Sequence, residues 1–446
     1  MAAARDTATR SGSALSRRQF LGGSAAAVAG GVSGALLPSL GPVDAAAAGT
    51  LQQLDHLRPS GAVDEAYWAT VRREFNIVDD MVYMNNGTLG PMPRPVFDAN
   101  VRYMREIAED PRSARMDETV RSRVAAFVGA DPDEIVLTRS TTEGMKIFCR
   151  GLDLAAGDEV LMSSHEHPGG YGSWRAREQR EGIVVKTVDI PAPPDSVDQV
   201  VSLCEQAITP KTRVLVVSYP IFVTGLLMPI RELADMAHRH GVLLSVDGAH
   251  ALGMLDLNFH ALGIDHFSTA GQKWLMAGTG TGVAYFKRDV QDQVHGDMWR
   301  PNMDPAMGAR KYESSGQRHI PSARGMGDAV DFQNAIGKAN IETRVHQLAE
   351  RLKSGLMEIP GVGLGTSMAR EMSGGLTTLY VEGVPKANIQ RAVMERAGTY
   401  IVGSGLNDFA CRVSTHLYNT PDQVDHVLAA IRHVAENRSQ YGSSAA

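Results

Sequence analysis

Between residues 134 and 274 the chain alternates short apolar runs with amphipathic stretches, and this alternation constrains the fold more than any other feature. The runs are EIVLT (134–138), DEVLMSS (158–164), IVVKTVDI (183–190), TRVLVVSYP (212–220), VLLSVDG (242–248) and HFSTAGQKW (from 266). Helical patterns at 141–152, 169–182, 197–208 and 229–241 separate them. Strands covered on both faces read as continuous apolar runs, and parallel neighbours need a long crossover between them. The pattern therefore predicts an α/β fold whose large domain holds a mostly parallel, doubly wound sheet. Ligands of such sheets bind beyond the carboxyl ends of the strands, so the residues just past each run are the candidate site.

The large domain is expected over 96–324, with helices at 94–109 and 117–129. After residue 325 the pattern changes. A long helical region (326–357) leads into the strands GLTTLYVEG and ACRVSTHLY, with helices KANIQRAVMERAG and PDQVDHVLAAIRHVAEN. This predicts a smaller C-terminal α/β domain over 325–446. Its last helix opens on a capping box, Thr420 with Gln423 three positions on. Residues 49–95 read as an N-terminal segment with one amphipathic helix at 64–75. It also has a short strand in MVYMNNGTLGPMPRPV that ends at an Asn86-Gly87 turn.

Residues 1–48 read differently. Ser16-Arg17-Arg18-Gln19-Phe20-Leu21 is a twin-arginine pattern, followed by a weakly apolar run to Leu40 and alanines at 45–48. This predicts a Tat export signal, with the Tat translocase as a transient partner and a periplasmic or secreted destination. The glycines and alanines make the run poorly apolar for a membrane anchor. The 446 residues carry a formal charge of −6 and no basic stripe, which disfavours nucleic acid as a partner. Cys149, Cys204 and Cys411 are far apart and give neither a disulfide framework nor metal-type spacing.

Charged and polar residues stand at four strand ends. Asp247 closes VLLSV, where a carboxylate is costly unless paired, though Asp-Gly is also a common turn former. Lys273 follows 26 residues later (273 − 247) in STAGQKWLMAGTGTG. It is either a snorkelling ammonium or an amine whose pKa can fall. Ser140, Thr141 and Thr142 stand at a strand-to-helix turn, which suits either plain capping or an anion. His165 and His167 lack a third ligand at useful spacing, which disfavours zinc. GTGTG precedes a strand rather than a helix, so it fails as a dinucleotide fingerprint. An anion turn, a flat imidazole, a carboxylate and an amine together suit pyridoxal 5′-phosphate (PLP).

The ordered motifs YMNNGTLGPMP, STTEG, EHP, VDGAH, GQKW with GTGTGVAYF, and CRVSTHLYNT resemble those of class V aminotransferases. These are fold-type I PLP enzymes, and the likeness runs from about residue 67 to 436. It is nearest to the isopenicillin N epimerase-like branch. The resemblance implies that Lys273 is the Schiff-base lysine and Asp247 the partner of the pyridine nitrogen. It places His250 near the phenolic oxygen, His167 on the ring, and Thr141, Thr142 and Gln272 on the phosphate. Arg412 becomes the clamp for a substrate α-carboxylate, and Asn85 and Asn86 lie over the substrate. Relatives often carry His where Gln272 stands and Ser where Ala270 stands. Gln317 or Arg318 occupies the segment that reaches a neighbouring subunit's phosphate, which implies a homodimer. No cysteine stands near Ala397, where desulfurases of the family carry their nucleophile.

The expected function is a PLP enzyme acting at the α-carbon of an amino acid or amino-acid-derived secondary metabolite. Epimerisation, transamination, C–S lysis and oxidative decarboxylation all remain open. A non-catalytic binding protein and a nicotinamide oxidoreductase are the competing readings.

Overall fold

The computed structural model describes residues 42–58, 64–298, 305–313 and 316–442. The twin-arginine pattern lies outside these residues. A seven-stranded sheet is ordered β2-β8-β7-β6-β5-β3-β4. Its strands are β2 (Ile135–Thr138), β3 (Glu159–Ser163), β4 (Val184–Val188), β5 (Thr212–Ser218), β6 (Leu243–Asp247), β7 (His266–Ala270) and β8 (Gly282–Phe286). Neighbours from β4 to β7 pair in parallel, while β8 runs antiparallel to both β7 and β2. The parallel part is the one foreseen from the apolar runs. GTGTG does lead into a strand, β8.

The helices of eight residues or more are α1 (Pro42–Leu57), α2 (Glu65–Arg72), α3 (Arg94–Glu109), α4 (Thr119–Val128), α5 (Thr141–Gly151) and α6 (Pro168–Glu181). They continue with α7 (Val197–Ala207), α8 (Ile230–Arg239), α9 (Ile320–Ile336), α10 (Lys338–Met357), α11 (Lys386–Ala397) and α12 (Pro421–Glu436). Local chemistry sets their starts. The Ser140 hydroxyl accepts the Glu143 N–H at 3.2 Å to cap α5, and Thr420 with Gln423 forms the expected capping box on α12. Helix α1 begins at Pro42, inside the segment read as an export signal, and Leu54 on it is buried in the main core.

A second sheet, β12-β13-β10-β9, is antiparallel throughout. It contains β9 (Val362–Leu364), β10 (Leu376–Val381), β12 (Val402–Gly403) and β13 (Ala410–Ser414). A core of its own, including Leu352, Leu379, Val413 and Ile431, lies between this sheet and α10, α11 and α12. The expected boundary at 324/325 falls inside α9. The apolar residues of that helix, among them Met326, Val330 and Phe332, sit in the core of the large sheet. The single helical region expected at 326–357 is two helices that meet at Gly337.

The N-terminal segment pairs with the C-terminal part of the chain. β1 (Val82–Tyr83) pairs in parallel with β11 (Thr399–Tyr400), and Asn85 bridges to Ser414. The chain then runs onto the loop that holds Lys273. The Gly90 N–H donates to the Gln272 carbonyl at 2.9 Å, and a Cβ on Gly90 would lie 2.0 Å from the Lys273 carbonyl oxygen. Only glycine allows this approach.

Candidate active site

The ends of β2, β3, β6 and β7 open on one edge of the large sheet, and each delivers a predicted group. Beyond β2, Thr141 opens α5. Beyond β3, His167 caps α6, its Nδ1 accepting the Gly169 N–H at 3.0 Å. Asp247 ends β6, and Lys273 follows β7 by three residues. Register puts Asp247 opposite Ser218 on β5 and Ser268 on β7. Helix α6 comes so close that a Cβ on Gly170 would lie 2.8 Å from Asp247 Oδ2. His165 turns away to the Ile190 carbonyl at 2.9 Å, so the His-X-His pair diverges.

Burial pushes the Lys273 amine down to about 8, with Asp247 opposing the shift and Arg412 adding to it. The hydrogen bonds agree with a neutral amine. The indole N–H of Trp274 donates to His250 Nδ1 at 3.2 Å. Indole is a donor only, so Nδ1 is an acceptor and the neutral ring carries its proton on Nε2. That N–H faces Lys273 Nζ at 3.3 Å, which makes the amine the acceptor. Burial, then the Lys273 and Arg412 charges, holds His250 well below its ordinary range, so the ring itself is neutral at neutral pH. Lys273 is thus a desolvated amine rather than a snorkelling ammonium. Borohydride trapping of PLP on the apoprotein is expected to accelerate with a midpoint near pH 8, because the neutral fraction rises through the pKa. A midpoint near 10.5, the ordinary lysine value, would contradict this.

Asp247 is buried, and burial raises its pKa against the pull of Lys273. Its one side-chain hydrogen bond in the described structure is from the Ala249 N–H at 3.1 Å. His167 is exposed as a whole residue, yet its ring is enclosed enough that desolvation, then Lys273 and Arg412, lowers its pKa. The ring stands edge-on to Phe222 with centroids 5.0 Å apart.

Arg412 on β13 is 7% exposed, and among the described residues no carboxylate pairs with it. It donates to Asn85 Oδ1 (3.2 Å), Thr88 Oγ1 (3.1 Å) and the Phe222 carbonyl (3.2 Å). Burial alone lowers its pKa to about 10. A buried guanidinium held by neutral acceptors is ready for an incoming carboxylate. Asn86 does something else. Its Oδ1 accepts the Tyr418 hydroxyl at 3.0 Å and its amide donates to the Lys273 carbonyl at 3.4 Å, so it fixes the lysine loop.

Two predicted residues, Gln317 and Arg318, have no hydrogen bond to Lys273, Asp247, His167 or Arg412 in the described structure. Arg318 donates to the carbonyls of Leu137 and Thr138, and with Gln317 it lines a cavity of about 600 Å³ beside Met104, Ile107 and Met116. Three residues were missed from sequence. Trp274 sets the His250 tautomer, although an aromatic after a lysine reads as ordinary core. Thr88 shares Arg412. Glu166, which is buried, accepts from Ser163 Oγ (2.5 Å), Ser218 N (2.9 Å) and Ser218 Oγ (2.5 Å). It ties the His167 turn to β5, and burial lifts its pKa to about 7.

These groups fit PLP. Asp247 is a buried carboxylate placed to pair with a pyridinium. Thr141 Oγ1 and Gln272 Oε1 are buried polar atoms with no hydrogen-bond partner in the described structure, at the turn where a phosphate would sit. Ala270 adds no hydroxyl at that turn.

Comparison with known proteins agrees. The chain is 29% identical over 394 residues to an isopenicillin N epimerase of Amycolatopsis lactamdurans, covering 83% of this chain and 99% of that one. It is 26% identical over 399 residues to a probable cysteine desulfurase of Methanothermobacter thermautotrophicus (82% and 97% covered). Among solved structures, a cystine C–S lyase in complex with cysteine persulfide superposes with a TM-score of 0.72. That match has 24% identity and covers 79% of this chain and 98% of that one, so it speaks to the fold. The family model "Aminotransferase class-V" matches residues 92–427. The chain has the fold-type I architecture and belongs to the class V aminotransferase family, with pyridoxal 5′-phosphate as its cofactor.

Proposed function

We propose that this protein acts at the α-carbon of an amino acid or amino-acid-derived metabolite in the manner of an isopenicillin N epimerase. The observation that carries the substrate class is Arg412, a buried cation whose missing anion a substrate α-carboxylate would supply. PLP, when bound, supplies an electron sink that acidifies the Cα–H of an amino acid. Lys273, Thr141, Thr142, Gln272, His167 and Asp247 would hold it. Arg412, set by Asn85 and Thr88, orients the substrate. Lys273 Nζ, tuned to about 8, is matched to take and return a proton at Cα near neutral pH. His250 presents a neutral N–H beside that amine and so favours its uncharged form.

A further observation supports epimerase-like chemistry over sulfur transfer. Burial pushes Cys149, Cys204 and Cys411 up to about 12, so none is a ready thiolate nucleophile. C–S lysis, which need not use a protein thiol, is the second reading. The SRRQFL pattern supports export by the Tat route to the periplasm or beyond. Gln317 and Arg318 line a cavity that no residue of the Lys273 cluster lines, which supports a homodimer in which they serve another copy's site. The test is incubation of the holoenzyme with a panel of amino acids and small peptides, read by chiral chromatography and mass spectrometry. Inverted chirality supports the proposal. Keto acid, released sulfide or carbon dioxide without inversion would replace it with transamination, lysis or decarboxylation.

A further inference from the structure

A second feature adjoins the phosphate turn and is used by none of the chemistry above. Thr142, Lys146 and Arg150 are spaced four apart on α5 and so form one stripe along about 12 Å of helix. A cavity of about 490 Å³ lies between this stripe and α6, and one of about 470 Å³ lies on its other side, toward Asp297 and Met298. On the α6 side, Gly169, Gly172 and Ala176 keep the floor open, and Arg180 stands at the far end.

The charge of this groove is uneven. Arg177 and Glu181 pair at 2.6 Å, as do Arg139 and Glu143, so those four largely cancel. Lys146, Arg150 and Arg180 are exposed, and among the described residues none has a hydrogen bond or ion pair. Asp297 is the one acid lining the two cavities that remains outside those pairs. Three unpaired cations therefore face one unpaired anion, in a cleft that ends at Thr142. Clefts lined by one sign of charge concentrate counter-ions and raise association rates by roughly 10–1,000-fold.

We infer that the α5–α6 groove is a capture path for the phosphate of the incoming cofactor, with Lys146, Arg150 and Arg180 steering that dianion toward Thr142. The inference rests on the PLP site described above and adds residues that do not touch the seated cofactor. It makes loading, rather than turnover, the step these cations serve.

The test is stopped-flow uptake of PLP by the full-chain apoprotein at low and high salt, alongside pyridoxal, which lacks the phosphate. In the wild type, PLP uptake should slow as salt rises, since a Debye length of about 10 Å at 0.1 M screens the groove. The K146E/R150E/R180E variant should load PLP on the order of tenfold more slowly at low salt and speed up, rather than slow, as salt rises. Its pyridoxal uptake and PLP dissociation rate should be unchanged. K146Q/R150Q/R180Q should fall between the two, which separates charge from damage to the fold. Equal PLP uptake rates in wild type and charge-reversal variant would overturn the groove while leaving the site intact, as would equal slowing of pyridoxal. Failure of the wild type to take PLP onto Lys273 would sink the site reading as well.

Discussion

Arg412→Met is expected to lower kcat/KM for the amino-acid substrate by about thirty- to several thousand-fold, chiefly through KM. Loss of one partner of a buried, hydrogen-bonded charge pair costs about 2–5 kcal/mol, and each 1.4 kcal/mol is tenfold. The same substitution should leave the apoprotein as stable as before, or more so. Arg412 is buried with neutral acceptors only, so the fold bears its desolvation without an ion pair in return. Asn85 and Thr88 keep their mutual hydrogen bond at 2.9 Å after the guanidinium is gone. Steady-state kinetics and thermal melts together check this. A large fall in melting temperature with KM unchanged would mean that Arg412 is a structural tie.

Asp247→Asn should reduce kcat by a hundred- to several thousand-fold while PLP remains trappable on Lys273. An amide preserves the shape but cannot hold a proton on the pyridine nitrogen, so a charge-assisted contact worth several kcal/mol when buried is lost. Stability should move the other way. Burial raises the folded-state pKa of Asp247 above its ordinary 3.8, so the wild-type fold is penalised as pH rises through that value. The asparagine variant escapes the penalty, and its apoprotein should melt no lower than the wild type at pH 7 and lose any advantage near pH 3. Unchanged kcat would remove Asp247 from the cofactor site.

The strands of the large sheet were legible because burial on both faces leaves continuous apolar runs such as LVV in β5. Asp247 and Lys273 were legible for the same reason, as charges where the pattern allows none. Contacts between distant parts of the chain leave no such trace. Asn85 and Arg412 are 327 positions apart, and nothing local in YMNNGTLGP announces that it closes over CRVS. The break at Gly337 is a single residue inside an otherwise continuous helical pattern. Trp274 was hidden because an indole buried for packing and one buried to donate a hydrogen bond have the same letter. Lys146, Arg150 and Arg180 look like any solvated helix face until α6 is set beside α5 and the cations are found without partners.

The most direct test of the account is borohydride reduction of the PLP-loaded protein followed by peptide mass mapping. The account predicts a reduced cofactor adduct on the peptide containing Lys273 and no comparable adduct in Lys273→Ala protein. An adduct on another lysine, or equal trapping by the Lys273→Ala protein, would contradict it.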